Sequence, residues 1–110
     1  MAAGTQPASS YRYSPNSGED AKVCVKYQTQ YGWSKGYSVQ GTIIKGSDLN
    51  RATGTYKYKY ASTYVVVFWD QDEASILELQ NFIGTLTSVQ VNAKDQQNRY
   101  WKVAKTDYCF

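Results

Sequence analysis

A chain of 110 residues with 12 basic and 9 acidic side chains has room for one domain, and its net charge of +3 is too mild to mark it as a polyanion binder. It has no histidine and two cysteines, which removes the usual general base near neutral pH and leaves too few N or S ligands for a structural zinc site. Val, Ile, Leu and Phe number only 20, so the core must also draw on the 11 tyrosines and 3 tryptophans, whose O–H and N–H groups need partners once buried.

Residues 1–20 are rich in Ala, Ser, Gly and Pro and poor in aliphatic side chains, and read as a flexible leader to a single domain over 21–110. From there Val23, Val25, Tyr27, Thr29 and Tyr31 alternate with Lys22, Cys24, Lys26, Gln28 and Gln30, the period of a half-buried strand. Gly32 to Gly36 is a turn carrying Trp33. Tyr37, Val39, Gly41 and Ile43 then mark a second strand, in which Gly41 signals a bulge or a close backbone approach. Residues 46–54, GSDLNRATG, form a polar connection with Ser47 or Asp48 placed to cap one helical turn through Arg51.

Over 55–60, Tyr56, Tyr58 and Tyr60 alternate with Lys57 and Lys59, which predicts an amphipathic strand. Tyr64 to Asp70 has no polar face and predicts a central strand buried on both sides. The next segment fits two patterns. Ile76, Leu79 and Ile83 make a helical stripe that Asp72 would cap; Leu77 and Leu79 make a strand paired to 64–70 across the turn DQDEA. The strand is adopted because it gives the buried neighbour a partner. Residues 88–93 and 99–107 supply the last strands, with Val89, Val91 and Ala93 on one face of the first. In the second, Trp101 and Val103 lie opposite Tyr100, Lys102 and Ala104, and the turn DQQN joins the two.

The fold class is therefore all-β: a small antiparallel barrel or sandwich of about seven short strands, with one short helix near 72–83 as the variant. Cys24 lies in the first strand and Cys109 just after the last. If those strands are neighbours the two form a disulfide closing nearly the whole domain; otherwise they are free thiols. The bridge is the reading adopted, and it leans the chain towards a secreted or cell-surface setting, the compartment being otherwise unknown. No apolar run approaches the 18 residues of a membrane-spanning helix, and no signal peptide is visible.

Nothing in the chain points to catalysis. Serines lack a histidine to activate them, and there is no phosphate-binding loop, no GxGxxG and no expected cofactor or metal. Asp70, Asp72 and Glu73 cluster, but Ala74 and Ser75 stand where a calcium loop needs an oxygen ligand and a glycine. Aromatic richness without catalytic groups instead predicts a binding module for a glycan or protein surface. Its ligand residues are Trp33, Tyr31 and Tyr37, rigid aromatic faces on a glycine-flanked turn. One alternative is single-stranded nucleic acid on Tyr56, Lys57, Tyr58 and Lys59, with rings stacking on bases and lysines meeting phosphates. Strand alternation weakens it by sending tyrosines and lysines to opposite faces. The other alternative is an assembly protein, oligomerising through strand edges.

Overall fold

The computed structural model describes residues 5–7, 18–70 and 73–109. Its strands are β1 (Thr5–Pro7), β2 (Glu19–Thr29), β3 (Gly32–Trp33), β4 (Tyr37–Lys45), β5 (Thr63–Asp70), β6 (Glu73–Leu79), β7 (Val91–Lys94) and β8 (Tyr100–Ala104), and the helix α1 (Gly46–Thr53) joins β4 to β5. All pairings are antiparallel in the order β6–β5–β4–β2–β8–β7, and β7 pairs back onto β6 through Leu79 and Ala93. Six strands thus close into an antiparallel barrel, one of the two architectures the strand pattern predicted. Outside the ring, β1 pairs with Glu73 to Ser75 of β6, and β3 pairs with the end of β2.

Period-two alternation fills the barrel with side chains. Val23, Val25, Val65, Val67, Leu77, Leu79, Trp101 and Val103 meet in one apolar cluster, a packed interior rather than a ligand channel. The buried tryptophans find the polar partners they require. Trp101 is fully buried, and its Nε1–H donates to Asp95 Oδ2 at 2.9 Å. Asp95 Oδ1 accepts the backbone N–H groups of Gln97 and Arg99 at 2.8 and 3.0 Å. One carboxylate therefore shapes the β7–β8 turn and satisfies the indole. Trp69 Nε1–H donates to Ser75 Oγ at 2.9 Å.

A second apolar cluster lies outside the barrel. There α1 and the 54–62 connection cover the outer faces of β4, β5 and β6, joining Leu49 and Tyr58 to Ile44, Tyr64, Val66, Ala74 and Ile76. That cover is why β5 has no polar face. Gly46 allows the close approach: its N–H donates to Ser62 O at 2.8 Å, and a Cβ there would stand 1.7 Å from Lys59 O. Gly41 serves a similar purpose, since an added Cβ would meet Val23 Cγ2 at 3.1 Å, and the ladder runs through it without a bulge.

The structure departs from the sequence expectation at several places. Residues 55–60 are not a strand but an irregular connection. Their backbone groups are held by side chains: Asn50 Nδ2 donates to Tyr58 O and Asn50 Oδ1 accepts Tyr58 N–H, both at 2.9 Å, while Tyr64 Oη accepts Lys59 N–H at 2.8 Å. The strand adopted after the DQDEA turn is present as β6, and the short helix lies at α1 instead. It starts after Lys45 without a side-chain cap from Ser47 or Asp48, and it stops at Gly54, whose φ of 69° is left-handed. β2 begins at Glu19, two residues inside the expected leader, and Thr5–Pro7 lie on β6; leader residues 1–4 and 8–17 fall outside the described residues. The disulfide expected between Cys24 and Cys109 is present. Closure makes this bridge local in space, since Cys24 pairs in register with Ala104, five residues before Cys109.

A candidate ligand groove on the open face

The turn after β2 is tightly built. Gln28 and Thr29 pair with Trp33 and Gly32. Thr29 Oγ1 accepts Tyr31 N–H at 3.1 Å and donates to Gly32 O at 2.9 Å. Gly32, with φ at 124°, adopts a conformation open to glycine. Ser34 then grips Tyr27 twice: Ser34 N–H donates to Tyr27 O at 2.8 Å, and Ser34 Oγ accepts Tyr27 N–H at 3.0 Å. The result is a rigid mount for Trp33.

The mount stands beside the outer faces of β7 and β8, which barrel closure brings alongside β2. Trp33 and Gln28, Tyr100 and Lys94, and Gln80, Asn81 and Asn92 together line a groove of about 460 Å³. Trp33 is 40% exposed and Tyr100 49%. Each ring carries a lysine: Lys102 Nζ lies 4.9 Å from the Trp33 centroid and Lys94 Nζ 5.1 Å from that of Tyr100. Gln80 is tied in place, its N–H donating to Asn92 O at 2.8 Å and its Nε2 to Glu78 O at 3.1 Å. The groove thus combines two aromatic faces, amide side chains that both donate and accept, and the Lys94 ammonium, without a carboxylate in its lining, and Lys102 adds a second ammonium at the Trp33 ring.

Of the expected ligand residues, only Trp33 lines this groove. Tyr31 sits at the turn tip, 91% exposed. Tyr37 faces the barrel interior, stacked on Tyr27 with centroids 6.1 Å apart and edge-on to Trp69 at 5.5 Å. Hydrogen bonding to the Tyr37 side chain, then burial and the Tyr37 charge, raise the Tyr27 hydroxyl above the ordinary tyrosine value. The three do not converge. Nor do Tyr56, Lys57, Tyr58 and Lys59 make one nucleic-acid face: Tyr58 is buried under Lys57, whose Nζ lies 5.2 Å from its ring, and Lys59 pairs with Glu78 at 3.6 Å. Tyr56 and Tyr60 do remain at the surface, beside Arg51 and Asn50 in a second depression of about 410 Å³.

Tyr100, Gln28, Gln80, Asn81, Asn92 and Lys94 escaped the sequence reading as site residues. One signal was present: Tyr100 and Lys102 fall on the phase opposite Trp101 and Val103, which turns them outwards. Their meeting with Trp33 depends on closure of β8 onto β2. Among the described residues no cluster of His, Cys, Asp or Glu is arranged to hold a metal ion, and no helix is long and apolar enough to cross a membrane. Comparison with protein-family models, with curated proteins and with solved structures returns no match.

Proposed function

We propose that this protein is a non-catalytic recognition module that binds a saccharide in the groove between Trp33 and Tyr100. The observation that carries the reading is the pairing of two half-exposed rings with Gln28, Gln80, Asn81 and Asn92 in one lining. A sugar ring offers an apolar C–H face and a rim of hydroxyls, each a donor and an acceptor. Rigid aromatic faces suit the first, and amides, which carry both a donor and an acceptor, suit the second. The hydrogen-bonded mount of Trp33 also lowers the ordering cost of binding. Closure of the barrel pairs each of its six strands on both sides and leaves few open edges among the described residues, which disfavours assembly by strand addition.

The test is intrinsic fluorescence during titration with a panel of neutral and acidic oligosaccharides. At least one class is expected to shift the Trp emission of the native protein and to leave Trp33→Ala unmoved, while both proteins unfold at similar denaturant. Equal binding by Trp33→Ala would refute the groove as the site.

A further inference from the structure

Resting on the saccharide reading, we infer that the ligand carries a negative charge, as a carboxylate or a sulfate, and that Lys94 and Lys102 receive it. The acidic side chains that the described residues place against cations have other partners: Asp48 pairs with Arg51, Glu19 with Lys105, and Glu78, opposite Lys94 in the β6–β7 register, with Lys59. Lys94 and Lys102 instead stand over the rings of Tyr100 and Trp33. An ammonium over an aromatic face keeps a weak partner on one side and its remaining N–H donors on the other. Each ammonium takes one face of its ring, and the rings stay exposed enough for a sugar to stack against the other.

The barrel register places the two lysines on adjacent strands. Asn92 is opposite Lys102 and Lys94 opposite Tyr100, all on the outward phase of the β7–β8 pair. A saccharide lying across the two rings thus passes both ammonium groups and the Asn92 amide. Charge-assisted hydrogen bonds are roughly twice as strong as neutral ones, so an acidic sugar gains over its neutral counterpart at this site. Because the lining holds no carboxylate, nothing in it repels the anion.

The experiment is calorimetric titration of the native chain, its disulfide intact, with matched pairs: an oligogalacturonate against its methyl ester, and a sulfated galactan oligosaccharide against its desulfated form. The inference predicts that the acidic member of at least one pair binds about tenfold or more tighter than its twin, that Lys94→Gln with Lys102→Gln removes the difference, and that Lys94→Arg with Lys102→Arg retains it. The pair that responds identifies carboxylate or sulfate as the recognised group. Neutral twins binding as tightly, with the glutamine variant unchanged, would overturn the charge inference and leave the saccharide reading standing. Failure of the folded protein to bind any member of either pair would overturn both, as would lysine-dependent binding of a single-stranded oligonucleotide without binding of any saccharide.

Discussion

On the outside of β4, β5 and β6 the side chains gathered under α1 and the 54–62 connection are Ile44, Tyr64, Val66, Ala74 and Ile76. On the outside of β2, β7 and β8 the same outward phase carries Lys26, Gln28, Asn92, Lys94, Tyr100 and Lys102, which stay half-buried or exposed. The two faces belong to one barrel wall and obey one periodicity, yet their composition follows whether something covers them. An aromatic on the covered face, such as Tyr64, has a packing partner in Tyr58 at 5.3 Å. Trp33 and Tyr100 on the open face have lysines over them and a groove between them. Aromatic content alone therefore says little about binding in this chain; its location relative to the cover decides.

The comparison can be broken by mutation. The largest expected effect lies where the open face ends. Cys24 is two residues before Lys26 on the outward phase, but the disulfide to Cys109 buries it. Replacing both cysteines by serine should cost about 4 to 5 kcal/mol by the chain-entropy model for a loop of this length, read as a shift in denaturation midpoint. Next, Leu49→Ala removes the fully buried anchor of α1 and should cost about 2 to 5 kcal/mol. Asn92→Ala on the open face should stay within about 0.5 kcal/mol. Similar losses at the two positions would dissolve the distinction between the faces. Gly46→Ala, which sets a methyl group against Lys59 O, should destabilise by about 1 to 3 kcal/mol through forced backbone movement.

A further effect is one of pH. Burial raises the Tyr64 hydroxyl above its ordinary value of 10.0, and the charges of Glu78 and Tyr58 add to this, while the hydrogen bond from Lys59 N–H works against it. A raised value means that the folded state holds the proton more tightly than the unfolded chain. The stabilisation from this neutral hydroxyl is complete below pH 10.0 and is lost as pH rises through the folded value. Denaturation midpoints followed above that pH should fall less steeply in Tyr64→Phe than in the native protein. At neutral pH that variant should lose about 1 kcal/mol with the acceptor for Lys59 N–H. An unchanged alkaline slope would remove Tyr64 from the account.

Much of the barrel was legible in the sequence because strand alternation is a local signal. The lack of a polar face on 64–70 correctly announced cover on both sides, and the bridge adopted for Cys24 and Cys109 is present because β2 pairs with β8, a strand order the sequence left open. The reading went wrong where local pattern and distant partners disagree. Tyr56 to Tyr60 alternates like a strand, but Asn50 on α1 and Tyr64 on β5 supply the hydrogen bonds that a neighbouring strand would otherwise provide. Such capture by side chains leaves no periodic trace. The site was legible only in part for a similar reason. Trp33 declares itself on a glycine-flanked turn, while Gln80, Asn92 and Tyr100 reach it through the β7–β8–β2 closure, a relation between residues far apart in the chain.

The three tryptophans provide the most direct check on the claim that the open face binds. Each indole N–H gives its own nuclear magnetic resonance signal. Those of Trp69 and Trp101 are committed to Ser75 and Asp95 inside the barrel, whereas Trp33 borders the groove. Titration with the acidic oligosaccharides should move the Trp33 indole signal, together with the backbone amides of Asn92, Lys94 and Tyr100, and leave those of Trp69 and Trp101 in place. Binding that leaves Trp33 unmoved and shifts Tyr56 and Tyr60 instead would contradict the assignment of the groove.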